Sequence, residues 1–299
     1  MASIQNFFIK LFLKVVVDKK RQVGMPVVVT RKSLEKLSGM AKLPKGVKYE
    51  KVEFDGIAAE WSIPDNLKNP GVILYLHGGG YVAGSIRTHR GTTGRLAHAS
   101  KTKCLSVEYS LAPEKPFPAG LDDAIKAYHW LLKQGFDNKK IVISGDSAGG
   151  GLAVATMLRL RNENAPQPAA GVLMSPWLDL ECTGESALTL ANADPMVVPE
   201  ALREMGLFYT SKDKLRDSLV SPLYADLKGL PPMFIQASSS EVLYDDTTRF
   251  EKKLKEAGVQ VDVEIWKKMV HVWQAYAPIL PEAMKAIEKL GLYIENKTK

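Results

Sequence analysis

Three short stretches of this chain hold residue types that together can transfer an acyl group. Gly145-Asp146-Ser147-Ala148-Gly149 follows the apolar run Ile141-Val142-Ile143 and opens into Gly150-Gly151-Leu152-Ala153-Val154-Ala155, a helix-forming run. A serine between glycines at a sharp strand-to-helix turn has its hydroxyl lifted clear of the sheet, so the pentapeptide reads as a nucleophile elbow. His77-Gly78-Gly79-Gly80-Tyr81 comes directly after the apolar run that ends at Leu76. Acyl transfer passes through a tetrahedral oxyanion that needs preorganised N–H donors, and a glycine loop lets backbone approach that oxygen. In an elbow site one donor is the residue after the nucleophile, Ala148, and the others come from such a loop. A phosphate cradle is the competing reading of the glycines, but no Lys-Ser or Lys-Thr follows and the spacing is not G-x-G-x-x-G.

The third stretch holds the base. Five histidines are available. His77 belongs to the glycine loop, where structural hydrogen bonding is expected of it. His98 and His129 fall in expected helices, as surface or half-buried residues, and His89 sits near a helix start. His271 lies in a loop after the last expected strand and before the C-terminal helix. With an elbow serine the partners follow in the order serine, acid, histidine. Only His271 comes after Ser147, and it is the expected base.

These residues need a scaffold that ends strands at 76, near 144 and near 265. From about Gly46 onward, strand-like and helix-like runs alternate. Residues 47–54 and 57–63 read as a hairpin turning at Asp55-Gly56. Further strands are expected at 72–76, 104–109, 141–144, 171–174, 233–236 and 261–265. Helices are expected at about 88–100, 121–133, after Ser147, 246–257 and 281–295. That alternation predicts a mostly parallel sheet covered on both faces. Residues from about 180 to 223 break the rhythm and read as an insertion over the carboxyl edge of the sheet, where ligands bind in such folds.

At this point the chain resembles a known family, the bacterial hormone-sensitive-lipase-like esterases of the α/β-hydrolase superfamily. The matching stretches are His77 to Tyr81, Tyr109-Ser110-Leu111-Ala112-Pro113-Glu114, Gly145 to Gly150, Ser175-Pro176-Trp177, Asp194-Pro195 and His271-Val272-Trp273. The resemblance implies a single α/β-hydrolase domain over residues 1–299, with a helical cap from about 1–45 and about 180–223. It implies an oxyanion hole from Gly79, Gly80 and Ala148, and a substrate contact from Tyr81. Phe208 and Tyr209 are candidates for the acyl or alcohol pocket, though core packing explains them equally well. The activity implied is that of a carboxylesterase on short- to medium-chain acyl esters, with no cofactor and no metal.

Two positions depart from the family pattern. Tyr109 is followed by Ser110 where an arginine is usual. The segment Ser238-Ser239-Ser240-Glu241-Val242-Leu243 has Ser240 where the family places its catalytic aspartate. The acid fixes the histidine tautomer, and its loss in a serine protease costs on the order of 10⁴ in kcat. Three readings stay open: Glu241 serves as the acid, Ser240 or a water orients His271, or the chain is a ligand-binding protein on a hydrolase fold, as plant gibberellin receptors are. Glu241 is the favoured one. Asp245 and Asp246 are expected to cap the helix that follows.

Composition excludes other classes. The chain has 299 residues and a net charge of +7. Its lysines and arginines are scattered without an aromatic-interleaved basic block, so no nucleic-acid partner is expected. Cys104 and Cys182 make no disulfide framework, and no metal-ligand spacing is present. The apolar run from Phe7 to Val17 is broken by Lys10 and Lys14, too short to span a bilayer, and lacks a cleavage site. With Ile4, Phe8, Leu11 and Val15 on one face, it reads as an amphipathic helix docked on the domain. Membrane-surface association, with Lys10, Lys14, Lys19 and Lys20 facing anionic lipid, is the lesser reading. The expected location is the cytoplasm, the expected partner a small-molecule ester, with no stable membrane insertion and a homodimer through an exposed sheet edge as an analogy.

Overall fold

A computed structural model describes residues 3–17, 19, 22–38 and 42–299; Lys20 of the expected lysine cluster lies outside them. The elements in chain order are α1 (Ile4–Val16), α2 (Val27–Ser38), β1 (Val47–Phe54), β2 (Ile57–Pro64), β3 (Val72–Leu76), α3 (Ile86–Ser100), β4 (Lys103–Val107), α4 (Ala119–Lys133), β5 (Ile141–Asp146), α5 (Ala148–Asn162), β6 (Ala170–Met174), α6 (Ser186–Thr189), α7 (Pro199–Tyr209), β7 (Met233–Ser238), α8 (Tyr244–Glu256), β8 (Val261–Trp266) and α9 (Pro281–Thr298).

The strands form one sheet in the order β1-β2-β4-β3-β5-β6-β7-β8. β2 runs antiparallel to both β1 and β4, and every pairing from β4 to β8 is parallel. The hairpin closes at Asp55 and Gly56, both with positive φ (49° and 73°), the backbone of the tight turn whose twist matches its strands. β3 is buried at every position, as a central parallel strand covered on both faces must be. Its residues alternate between the two halves of the core. Val72, Leu74 and Leu76 pack with α4, α5 and α8, while Ile73 and Tyr75 pack with α1, α3 and α9. This is the mostly parallel, doubly covered sheet expected from the alternation, and the α/β-hydrolase fold that the resemblance implied.

The chain moves from β3 outward to β4, then crosses back to place β5 on the other side of β3. Strand order therefore reverses between β3 and β5, and the crevice beyond their carboxyl ends is where such sheets bind ligands. Leu76 pairs with Gly145, so the glycine loop and the serine elbow leave the sheet side by side.

The N-terminal helix corrects one expectation. α1 docks through Asn6, Ile9 and Leu13, not through the face carrying Ile4, Phe8, Leu11 and Val15. Those four are 69%, 59%, 49% and 78% exposed. The periodicity was real but the helix is apolar on two faces, and a hydrophobic period does not say which one meets the core. Among the described residues no helix is long and apolar enough to cross a membrane. Both cysteines are buried and unbonded.

Candidate active site

Ser147 sits between β5 and α5 with φ 52° and ψ −122°. A non-glycine residue holds such a backbone at a cost of about 1–3 kcal/mol, and only where its surroundings enforce it. Here Ser147 N–H donates to Met174 O and Ser147 O accepts from Trp177 N–H, each at 2.9 Å. Gly149 is needed for the close approach: a Cβ there would lie 2.1 Å from Leu76 O and 2.5 Å from His77 O. The elbow can thus press against the end of β3 only with a glycine at this position.

His271 follows β8 and reaches back to the elbow. Its Nε2 lies 2.9 Å from Ser147 Oγ, and its Nδ1 lies 2.7 Å from Glu241 Oε2. Glu241 is fully buried, and its other oxygen accepts from Ser238 N–H at 2.5 Å and Ser175 Oγ–H at 3.0 Å. A buried carboxylate costs several kcal/mol without such partners. With a carboxylate facing Nδ1, the imidazole carries its proton there and presents a lone pair at Nε2 to the serine hydroxyl. Burial pushes the His271 pKa down, but the hydrogen bond and charge of Glu241 outweigh it, leaving the imidazole above its ordinary 6.5.

Three backbone donors lie in the two turns that leave the sheet side by side. Among the described residues, the N–H groups of Gly79, Gly80 and Ala148 donate to no protein acceptor. Ala148 opens α5, where the first N–H groups have no intrahelical partner and the helix dipole is positive. Gly80 has φ +65°, and a Cβ there would meet Met205 Sδ at 2.4 Å; α7, from the 180–223 insertion, therefore leans directly on the glycine loop.

A family model for the alpha/beta hydrolase fold matches residues 73–275. An acetyl-hydrolase of Streptomyces hygroscopicus is 42% identical over 80% of this chain and 80% of its own length. An esterase of Acinetobacter venetianus is 34% identical over 95% and 94%. The crystal structure of an esterase from the bacterial hormone-sensitive lipase family superposes with a TM-score of 0.94 at 40% identity, covering all of both chains. This chain belongs to that family. The crystal structure of the esterase EstE5, soaked with p-nitrophenyl butyrate, is likewise similar, with a TM-score of 0.94, 41% identity and 99% of each chain covered.

Against the family pattern, the two departures have distinct outcomes. Ser240 enters the network through its backbone, its N–H donating to Ser238 Oγ at 3.1 Å; the carboxylate beside His271 belongs to Glu241. Ser238 Oγ in turn donates to Met269 O at 2.8 Å, tying the acid loop to the histidine loop. Ser110 binds Asp123 Oδ2 through its N–H at 2.9 Å and its hydroxyl at 2.5 Å. A guanidinium nonetheless reaches this region from α2. Arg31 donates to Val82 O at 2.7 Å and Ala112 O at 3.0 Å, and forms a fork with Glu114.

The aromatic candidates pack behind the loop. Tyr81 (φ +64°) is 2% exposed, its ring stacked on Tyr209 with centroids 3.9 Å apart and near Trp177 at 5.8 Å. Phe208 is partly buried against the same core. His77 is buried between Tyr109 and His89, its Nδ1 bonded to Gly78 O, and burial lowers its pKa to about 3, so it stays neutral. His98 is exposed and His129 half-buried. Asp245 and Asp246 do not cap α8, as expected of them, but reach across to the segment after β6: Asp246 Oδ2 accepts from Leu178 and Asp179 N–H at 2.7 and 2.9 Å, and Asp245 Oδ2 from Ser186 N–H at 2.8 Å. The N-cap of α8 is Leu243, so both aspartates fall inside the first turn rather than at the cap, and their carboxylates serve orphan donors of the neighbouring loop instead.

Three positioning groups had no role assigned from sequence. Asp146, the residue before the serine, accepts from Tyr75 Oη at 2.6 Å and Gly78 N–H at 3.1 Å, and faces His89 Nε2 at 3.3 Å. It clamps the glycine loop to the elbow. Burial alone would raise its pKa; the charge and hydrogen bond of His89 and the hydroxyl of Tyr75 bring it instead to about 2. Ser175 holds Glu241. Asp194 accepts from Met196, Val197 and Val242 N–H at 2.8, 3.0 and 3.1 Å, fixing the insertion next to Glu241. Ser175 and Asp194 both lie in stretches matching the family; what the sequence lacks is a signal of which backbone donor each meets.

Proposed function

We propose that this chain is a serine carboxylesterase in which Ser147 is the nucleophile, His271 the general base and acid, and Glu241 the acid that orients His271. The observation carrying the reading is the unbroken chain from Ser147 Oγ through both imidazole nitrogens to Glu241, at 2.9 and 2.7 Å. Ser147 Oγ attacks the ester carbonyl carbon while its proton passes to His271 Nε2. The carbonyl oxygen gains the negative charge within reach of Gly79, Gly80 and Ala148 N–H. Collapse breaks the bond to the alkoxy oxygen, which leaves as the alcohol with the proton from Nε2. Water then attacks the acyl-enzyme, gives its proton to Nε2, and the acid departs as Ser147 recovers that proton. Every step uses groups of this chain alone.

The described residues of about 1–45, with about 180–223, form the cap in this reading, with Met205 against Gly80 and Arg31 against Val82 and Ala112 as its contacts to the loop. Short to medium acyl chains are the substrates, the cytoplasm the compartment, and β8, one of the two edges of the sheet, the seam of a homodimer. The intact hydrogen-bonded chain supports turnover over ligand binding without chemistry. Mixing the enzyme with excess p-nitrophenyl butyrate tests it: a burst of nitrophenol stoichiometric with enzyme, or steady turnover, is expected and disappears in Ser147→Ala. Equal hydrolysis by Ser147→Ala, or tight butyrate-ester binding with no release of nitrophenol by the native chain, overturns it.

A further inference from the structure

The exposed face of α1 is the largest feature of the molecule that ester hydrolysis leaves unexplained. Ile4, Phe7, Phe8, Leu11, Phe12 and Val15 follow the 3, 4, 7, 8 spacing of one helical face. All six are about half exposed or more, including Phe7 at 62% and Phe12 at 54%. Three phenylalanines and a leucine in water on a helix of 13 residues form a patch of the kind that marks an interaction site. The opposite face already holds α1 on the domain through Ile9 and Leu13, so the patch cannot close by rotating the helix.

The charge beside the patch says what covers it. Lys10 and Lys14, one turn apart, run along one edge of the apolar face, and α1 contains no acidic residue. Lys268 adds a third cation, its carbonyl accepting from Asn6 Nδ2 at 2.9 Å. The neighbouring carboxylates are occupied: Glu282 accepts from Ser3 N–H at 2.6 Å and Ser3 Oγ–H at 2.8 Å, and Asp194 accepts the three backbone donors given above. A second copy of the chain would bring the same cations to the contact with nothing on α1 to oppose them. Aromatic and leucine side chains flanked by lysines, on a helix about 20 Å long that cannot span, suit the headgroup boundary of an anionic bilayer, where the rings enter the acyl region and the ammonium groups stay at the phosphates.

We infer that α1 is an interfacial anchor which docks the enzyme on anionic lipid surfaces through Phe7, Phe8, Leu11 and Phe12, with Lys10 and Lys14 at the headgroups. α1 is bonded to the loop carrying Lys268, three residues before His271, so docking sets the catalytic end of the sheet beside the lipid. The inference does not depend on the assignment of the catalytic residues.

Sedimentation of the full chain with vesicles tests it without reference to activity. Phosphatidylcholine vesicles containing phosphatidylglycerol should retain the protein about tenfold or more better than phosphatidylcholine alone, an advantage that added salt removes. Joint Phe8→Ser and Leu11→Ser substitution should lower binding to the anionic vesicles by more than about tenfold. Lys10→Glu with Lys14→Glu should abolish the preference for the anionic lipid. Phe8, Leu11 and Lys14 are solvent-exposed and Lys10 is half-buried, so thermal melting followed by circular dichroism should match the native chain in the Phe8→Ser, Leu11→Ser variant and show the lysine variant fully folded at the assay temperature. No sedimentation with either vesicle, binding unaffected by either variant, or a dimer in gel filtration that the Phe8→Ser, Leu11→Ser variant dissociates would overturn the inference, the last outcome assigning the face to a second copy.

Discussion

Replacing Glu241 with glutamine separates the charge of the acid from its shape. In the native site Oε1 takes Ser238 N–H at 2.5 Å and Ser175 Oγ–H at 3.0 Å. The glutamine carbonyl oxygen can keep both bonds only by sitting at the Oε1 position, which turns the amide NH2 toward His271. The amide then donates to Nδ1, so the imidazole proton must sit on Nε2, the nitrogen that has to accept from Ser147. The opposite amide orientation would set NH2 against Ser238 N–H, donor against donor, in a fully buried place, costing about 1–3 kcal/mol for the unmade bond. Glu241→Gln is therefore trapped in the wrong tautomer. The expected loss in kcat is about 10⁴, equivalent to about 5.5 kcal/mol of activation free energy, with KM changed little because nothing that contacts the ester has moved. Glu241→Asp, shorter by about 1.5 Å, opens the 2.7 Å contact to His271 but keeps the charge, and should fall between the two. Steady-state hydrolysis of p-nitrophenyl butyrate by variants of matched melting temperature reads this directly. A kcat for Glu241→Gln within tenfold of the native enzyme would refute the assignment of the acid.

Two further outcomes follow from the electrostatics. His271 must be neutral to accept the serine proton, and its pKa lies above 6.5 in the folded protein, so kcat/KM should fall with decreasing pH through a midpoint above 6.5; removing the carboxylate in Glu241→Gln leaves burial as the main influence and should move that midpoint down in the residual activity. Asp146 has its pKa lowered from 3.8 to about 2, so it contributes stability that is present above about pH 4 and lost as pH falls toward 2, worth about 2 kcal/mol; urea unfolding at pH 6 and pH 3 should show this component in the native protein and not in Asp146→Asn, and an unchanged pH dependence in the variant would remove the clamp from the account.

The sequence made the sheet legible because its strands carry their own punctuation. Asp55-Gly56 can form a tight hairpin turn, and the runs before His77 and Gly145 are continuously apolar, as strands covered on both faces must be. Ser147 and His271 were readable from glycine spacing and chain order. The acid was not. Whether a carboxylate at 240 or 241 reaches His271 depends on the turn at the end of β7, where Ser238 donates its N–H to Glu241 Oε1 and its hydroxyl to Met269 O. The second of those bonds joins residues 31 apart, which no local pattern records. The face of α1 was misread for a related reason: a helix with apolar residues almost all round has a period but no direction until the core it meets is known. Asp146 escaped notice because its partners, Tyr75, Gly78 and His89, come from another strand, a loop and a helix.

The position of Asp146 poses an electrostatic difficulty that His89 resolves. The proposed reaction places a negative charge on the substrate oxygen near Ala148, two residues from the carboxylate of Asp146, and like charges in a buried site repel strongly. A neutral side chain in place of Asp146 would avoid the repulsion, but would weaken the clamp on Gly78 N–H and Tyr75 Oη. His89 allows the clamp to remain. Its Nε2 faces Asp146 Oδ2 at 3.3 Å, and although burial favours the neutral ring, the charge and hydrogen bond of Asp146 hold its pKa above the ordinary value. Where both are charged, the pair is close to neutral as seen from the oxyanion, while the hydrogen bonds from Tyr75 and Gly78 persist. That pairing is fully present below the ordinary imidazole pKa and fades as pH rises through the raised value, when the carboxylate stands uncompensated behind the glycine loop. In the proposed reaction the acid side of the working range is thus set by His271 and the compensation behind the oxyanion by His89, two imidazoles each held by a carboxylate.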